Sequence, residues 1–149
     1  MKTGYLVCDV MTQRPISVEH DVPISECAKI MSKYHVSTLI VKKANKLLGL
    51  LTEKDIVRKV VADSLDPSKI LAREICQTSY PLITPERDIY EAIITMRDKN
   101  VRHLPVMEKG KLVGFLTGKD ILKIQPQLFE ILAEKIELRE QERKLSLLK

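Results

Sequence analysis

The sequence predicts a mixed α/β fold in which one small unit is used twice, and three observations carry that expectation. The stretch Gly49-Leu50-Leu51-Thr52-Glu53-Lys54-Asp55-Ile56 returns as Gly114-Phe115-Leu116-Thr117-Gly118-Lys119-Asp120-Ile121, at an offset of 65 residues. The same offset pairs Ile24 with Ile89, Glu26 with Glu91, Met31 with Met96, Val36 with Val101, Leu39 with Leu104 and Val41 with Val106. Self-similarity at one fixed spacing marks a supersecondary unit repeated in the chain. Within each copy the apolar residues switch between helical and strand periodicity, so both element types are expected.

In chain order, residues up to about Ser17 form a lead-in, and Asp21 to Tyr34 is predicted helical with Ile24, Cys27, Ala28, Met31 and Tyr34 on one face. Val36 to Val41 and Leu47 to Leu51 are strands around the polar turn Lys42-Lys43-Ala44-Asn45-Lys46, which predicts a hairpin. A helix then starts at Thr52 and turns Ile56, Val57, Val60 and Val61 to the core. Ser64-Leu65-Asp66-Pro67-Ser68 ends that helix, and Asp66-Pro67 is placed to begin a short connecting helix. The second copy repeats the pattern: lead-in strand Pro81-Leu82-Ile83-Thr84, helix Asp88 to Lys99, strands Val101 to Val106 and Leu112 to Leu116, and a helix from Gly118. The expected organisation is a first unit over 8–63, a linker over 64–74, a second unit over 75–125 and a charged C-terminal helix over 126–149. Each β-α-β-β-α unit is too small for a good core alone, so the two are expected to pack sheet to sheet as a pseudo-symmetric pair. In the last helix Leu128, Leu132 and Ile136 are spaced as a stripe, which suits either a helix packed on the module or one that joins two copies.

Composition narrows the classes. An apolar fraction of 44% beside 30% charged residues is that of a globular chain. No apolar run approaches the length of a membrane span, Met1-Lys2-Thr3-Gly4-Tyr5 begins no signal peptide, and a cytoplasmic protein is expected. Cys8, Cys27 and Cys76 are scattered and form no Cys-x-x-Cys pair, which argues against a disulfide framework or a zinc knuckle. The net charge of +5 suits an anionic ligand, but the lysines lie singly and aromatics make up only 4% of the chain, so nucleic-acid binding is disfavoured.

The doubled Thr-x-x-Asp motif carries the chemistry. At a strand-to-helix junction the Thr hydroxyl accepts from a first-turn N–H, and an acid in that turn is favoured by the helix dipole. A capping role accounts for one copy; its exact repetition points further. The same Asp could accept from a ribose diol, and the helix start offers N–H groups to phosphate. No nucleophile–base pair, P-loop or Gly-x-Gly-x-x-Gly is present, so no catalytic site is expected.

Val101-Arg102-His103-Leu104-Pro105-Val106, then Lys111-Leu112-Val113-Gly114-Phe115-Leu116-Thr117 and Asp120-Ile121, with their first-copy counterparts, make the chain resemble a tandem pair of cystathionine β-synthase (CBS) domains, a Bateman module. The resemblance covers about Cys8 to Ile124. It implies two clefts binding an adenine nucleotide (AMP, ADP or ATP) as a regulatory ligand. One cleft would join Thr52 and Asp55 to Pro81, Leu82, Ile83, Arg102 and His103. The other would join Thr117, Lys119 and Asp120 to Thr12, Ser17, Val36, Ser37 and Thr38. Arg102 and His103 suit a phosphate, whereas Ser37 and Thr38 are neutral, so the first cleft is expected to be the tighter for phosphorylated ligands. Ile40 stands where the second copy has Pro105, a departure from the family's pattern. The implied partners are a second copy of the chain and a separate effector protein. The alternatives are S-adenosylmethionine as ligand, a structural homodimerisation module with vestigial clefts, and nucleic-acid binding.

Overall fold

The computed structural model describes residues 2–148, except for the side chains of Leu128, Phe129, Leu132, Glu134, Lys135 and Ile136. The predicted stripe of Leu128, Leu132 and Ile136 therefore lies outside the described residues. In chain order the elements are α1 (Val7–Val10), β1 (Ser17–Glu19), α2 (Ile24–Tyr34), β2 (Thr38–Lys43), β3 (Lys46–Thr52) and α3 (Glu53–Ile56), which widens into a π-helical stretch (Val57–Val61). There follow α4 (Ala72–Ile75), α5 (Ile89–Lys99), β4 (His103–Glu108), β5 (Lys111–Thr117), α6 (Gly118–Ile124) and α7 (Pro126–Leu147). The fold is mixed α and β with two small sheets, as the repeat predicts.

The chain divides into two compact units that do not follow the repeat boundaries: one is Pro15–Tyr80, and the other takes in the chain up to Arg14 and from Pro81 onwards. Each unit thus pairs the body of one repeat with the first part of the other's lead-in, residues up to Arg14 or up to Tyr80, while 81–84 stays with its own repeat. In the Pro15–Tyr80 unit, Gln77 N–H donates to the Leu50 carbonyl at 2.8 Å and Leu50 N–H to the Gln77 carbonyl at 2.9 Å. In the other unit Thr12 and Phe115 exchange the same two bonds, both 2.9 Å. Gln77 and Thr12 stand at the repeat offset, as do Leu50 and Phe115.

In the Pro15–Tyr80 unit β1 runs parallel to β2 and β2 antiparallel to β3. The β2–β3 turn places Ala44 and Asn45 at φ 51° and 62°, and the β4–β5 turn places Lys109 and Gly110 at 50° and 77°. Two central residues with positive φ make the turn whose twist matches a hairpin. Leu39, Val41 and Leu51 from the sheet meet Ile24, Cys27 and Met31 of α2, Val60 and Ala72 in one buried cluster. In the other unit Leu104, Val106 and Leu116 meet Val7, Ile89, Ile93, Met96 and Ile121, with Ile131 of α7 packed against them. Both sheet-covering helices end on a left-handed residue, His35 at φ 54° and Asn100 at φ 59°, again at equivalent positions.

Several local expectations need correction. α2 begins at Ile24, not Asp21, because Pro23 holds an extended backbone at its N-cap. Ala28 and Tyr34 are exposed, and Ile30 packs on the core in their place. Val57 and Val61 face outward at 58% and 64% exposure, because Ile56 and Val60, one helical turn apart, take the inward side. Residues 66–69 form a turn tied by the Asp66 side chain to Ser68, not a helix; the short helix there is α4. The lead-in 81–84 is one parallel bridge, Ile83 to Val106, where its counterpart β1 is a full strand. Ile40 N–H donates to the Ile16 carbonyl at 3.0 Å, but Pro105, at Ile40's equivalent position, has no N–H to give.

The lead-in bridges need a strand residue without a side chain. A Cβ on Gly49 would lie 2.6 Å from the Gln77 carbonyl oxygen and 2.8 Å from Cys76 Sγ, whereas one on Gly114 would meet only the flexible Met11 thioether. Gly49→Ala should therefore cost about 1–3 kcal/mol, the range for overpacking against atoms that cannot yield. Gly114→Ala should cost less. Urea denaturation of the two variants checks the order.

Candidate functional site

Each unit carries a Thr-x-x-Asp junction where its hairpin enters a helix. At the first, Asp55 N–H donates to Thr52 Oγ1 at 3.2 Å, while Asp55 Oδ2 accepts from Thr52 N–H at 2.9 Å, a reciprocal capping box. At the second, Asp120 N–H donates to Thr117 Oγ1 at 3.2 Å and Asp120 Oδ2 accepts from Thr117 N–H at 2.9 Å. The hairpin partner reinforces both junctions. Glu53 N–H donates to the Ser37 carbonyl and Gly118 N–H to the Arg102 carbonyl, each at 3.0 Å. Thr38 lies opposite Thr52 in the ladder, and His103 opposite Thr117.

Beyond the cap the two acids differ. Asp55 is only 5% exposed. The Gln77 side-chain amide donates to both its oxygens, at 3.1 and 3.3 Å, and the Lys59 ammonium lies 3.2 Å from Oδ1. Lys59 also donates to the Ile75 carbonyl at 2.8 Å, which ties α4 to the same network. Burial pushes the Asp55 carboxyl up. The Thr52 N–H, the Gln77 amide, the Thr52 hydroxyl and the Lys59 ammonium together outweigh it and hold the group below its ordinary value. Asp120 is partly exposed, and among the described residues its carboxylate makes no further bond beyond the cap. The cause lies in two positions of the repeat: Gln77 is matched by Thr12, whose side chain makes no bond to Asp120, and Lys59 is matched by Ile124.

The sequence-predicted residues fall into two groups. Ser17, Val36, Ser37, Thr38, Thr52 and Asp55 belong to the Pro15–Tyr80 unit; Thr12, Pro81, Leu82, Ile83, Arg102, His103, Thr117, Lys119 and Asp120 belong to the other. Within the latter, the His103 ring stacks on Phe115 with centroids 5.6 Å apart and planes 6° from parallel. Leu82 and Ile83 line a surface cavity of about 500 Å³ along α5, beside Arg87, Tyr90, Glu91 and Ile94. Arg102 borders a separate cavity of about 220 Å³ with Arg139, Glu140 and Arg143 of α7. Lys119 is exposed. Sequence reasoning missed Gln77 and Lys59, although the mismatches Gln77/Thr12 and Lys59/Ile124 were visible signals. It also missed Arg139 and Arg143, which lie beyond the repeat. Among the described residues no cluster of three His, Cys, Asp or Glu could hold a metal, and no helix is long and apolar enough to cross a membrane.

Two equivalent capped junctions, one in each compact unit, define a duplicated module built from one repeated supersecondary unit. The chain belongs to the CBS domain family, whose model matches residues 7–62 and 72–126. It is 39% identical over 103 residues to the protein MK0525 of Methanopyrus kandleri, covering 67% of this chain and 52% of that one, so the match spans about half of that relative. It is 30% identical to hypoxic response protein 1 of Mycobacterium tuberculosis over 80% of this chain and 84% of that one. A crystal structure of hypoxic response protein I with two coordinated zinc ions superimposes with a TM-score of 0.71 at 28% identity, over 80% of this chain and 98% of that chain. The CBS domain pair of MJ0100, solved with 5′-methylthioadenosine and S-adenosyl-L-methionine, matches with a TM-score of 0.71 at 28% identity, over 80% and 94% of the two chains.

The Asp55 network makes a pH prediction. A carboxyl held below its ordinary 3.8 contributes stability that is present above that pH and is lost as pH falls through the lower folded-state value. Asp55→Asn should cost about 1.5–3 kcal/mol at neutral pH, the range for bonds to a charged group. The gap to the parent should close in acid. Asp120→Asn should cost less. Chemical denaturation across pH measures both.

Proposed function

We propose that this chain is a regulatory module that binds an adenosyl ligand, with an adenine nucleotide (AMP, ADP or ATP) as the favoured class. The observation that carries the reading is the Thr117–Asp120 junction: a helix-capping carboxylate with one oxygen still unbonded among the described residues. A ribose diol offers two O–H donors, and a carboxylate that keeps a vacant oxygen at a strand-to-helix turn can take them. The adenosyl ligands of the MJ0100 pair support the same class.

On this reading Asp120 is the ready ribose acceptor. Asp55 accepts a diol only after the Gln77 amide swings away, since that amide already occupies both its oxygens. The order of the two acids as ribose acceptors is thus separate from the sequence expectation, in which Arg102 and His103 make the cleft of Thr52 and Asp55 the tighter for phosphorylated ligands. Arg102 and His103 are the proposed phosphate contacts. Pro81, Leu82, Ile83, Thr12, Ser17, Val36, Ser37, Thr38 and Lys119 are proposed to complete the ligand contacts. Output passes to a separate effector or to a second copy of the chain. The exposed Val57 and Val61 on one helical face support self-association. A second reading, S-adenosylmethionine or a related thioether, is favoured by the same MJ0100 complex and would leave Arg102 without a phosphate.

Calorimetry against AMP, ADP, ATP, adenosine and S-adenosylmethionine separates the readings. Asp120→Ala should weaken nucleotide binding by about 1–3 kcal/mol. Gln77→Ala should strengthen binding at Asp55 or leave it unchanged, never weaken it. Arg102→Ala should weaken AMP binding more than adenosine binding. If Asp120→Ala and Asp55→Ala both bind every ligand like the parent, both acids are helix caps only and the reading fails. Light scattering that gives a monomer at micromolar concentration would remove self-association.

A further inference from the structure

We propose that Arg102, Arg139 and Arg143 form a site for a diphosphate group, so that α7 is part of a binding surface and not only a cover on the module. Arg139 and Arg143 are four residues apart on α7 and share one face of that helix. α7 packs on α5 and α6 of its own unit, and Arg102, just before β4, lines the same cavity as Arg139 and Arg143. There the Arg102 backbone is held by the 3.0 Å bond from Gly118 N–H to its carbonyl. The three arginines and Glu140 line an open surface cavity of about 220 Å³.

Charge decides the class of occupant. Three guanidinium groups face one carboxylate, and none of the three has an ion pair among the described residues; the ion pairs of this unit's other arginines are Arg87 with Glu91 and Arg97 with Asp98. Three like charges beside a single counter-charge leave the cavity net positive, and an anion bound among them relieves the repulsion that remains. Guanidinium stays protonated at any relevant pH and presents its donors in a fork that fits phosphate oxygens two at a time. A carboxylate carries one charge and two oxygens and would leave most of these donors unused. A diphosphate carries charge and oxygens enough for all three. Size agrees: the cavity has room for several waters, each taking about 30 Å³ in the liquid, but is below the range of about 300–1,000 Å³ that encloses a whole drug-sized ligand. Arg102 is matched by Ser37 in the first repeat, and α7 lies beyond the repeat altogether, so the arrangement belongs to one unit alone.

The inference shares Arg102 with the nucleotide reading but needs neither adenine nor ribose. Its probe is inorganic pyrophosphate, titrated calorimetrically into the full chain at low and at moderate salt, with far-UV circular dichroism to show that each variant stays helical. The parent should bind one pyrophosphate, and Arg139→Ala/Arg143→Ala should weaken it about tenfold or more, as expected when charge-assisted bonds are lost. Glu140→Gln should tighten binding by removing the opposing charge. Lys144→Ala, which removes one positive charge next in sequence to Arg143 but outside the cavity, should leave it unchanged. No pyrophosphate binding by the parent, an undiminished affinity in the double variant, or an equal loss from Lys144→Ala would overturn the proposal, the last by showing general attraction screened by salt. Competition by ATP would identify a nucleotide as the source of the diphosphate, and its absence a free phosphate compound. Adenosine binding retained by the double variant would show that the two readings stand or fall separately.

Discussion

The structure depends on a pair of backbone bridges in which each lead-in docks on the hairpin of the opposite repeat. Two hydrogen bonds join Gln77 to Leu50, and two join Thr12 to Phe115. The bridges require the chains to approach at Gly49 and Gly114, where a side chain would strike the incoming segment. Once the bridge forms, α4 covers the first hairpin's core and α1 the second's, because Ala72 and Val7 lie in the short helices just before it. Neither unit is complete within one sequence repeat. Folding of each unit therefore closes a loop, from Leu50 to Gln77 in one unit and over the much longer span from Thr12 to Phe115 in the other.

The same bridge separates the two junctions chemically. It delivers Gln77 to one capping acid and Thr12 to the other, at equivalent positions in space and sequence. A long amide reaches the carboxylate and closes a network with Lys59; a short hydroxyl makes no such bond. A duplicated motif has thereby become one buried, fully bonded acid and one acid with bonding capacity left over. Full bonding favours stability and a fixed geometry. Spare capacity favours ligand binding, because a bound donor then displaces only water. On the proposed reading, the two copies divide these tasks.

α7 extends this asymmetry beyond the repeat. It adds Ile131 to the core of one unit and lays two arginines beside Arg102, so its polar face concentrates charge where its apolar face is anchored. A helix whose acids and bases cancel over 127–149 still produces a local positive patch, because i, i+4 spacing sorts residues by face and not by sum.

What the sequence by itself determined were the features that depend on local periodicity and on duplication. These are the hairpins, the Thr52 and Thr117 caps, the two helices that end at Tyr34 and Lys99, the buried Cys27, and the CBS family. Hydrogen bonds three or four residues apart, and apolar stripes, leave their mark in adjacent letters. The tertiary structure decided what depends on distant contacts. Which lead-in serves which hairpin, the locking of Asp55 by Gln77, and the meeting of Arg102 with α7 all join residues more than twenty positions apart. Pro105 shows the boundary between the two. Its missing N–H is legible as a letter, but that it shortens the 81–84 strand to one bridge appears only when the neighbour it would have bonded is known. A spacing rule reports which face a residue occupies; only the packed chain reports what stands opposite it.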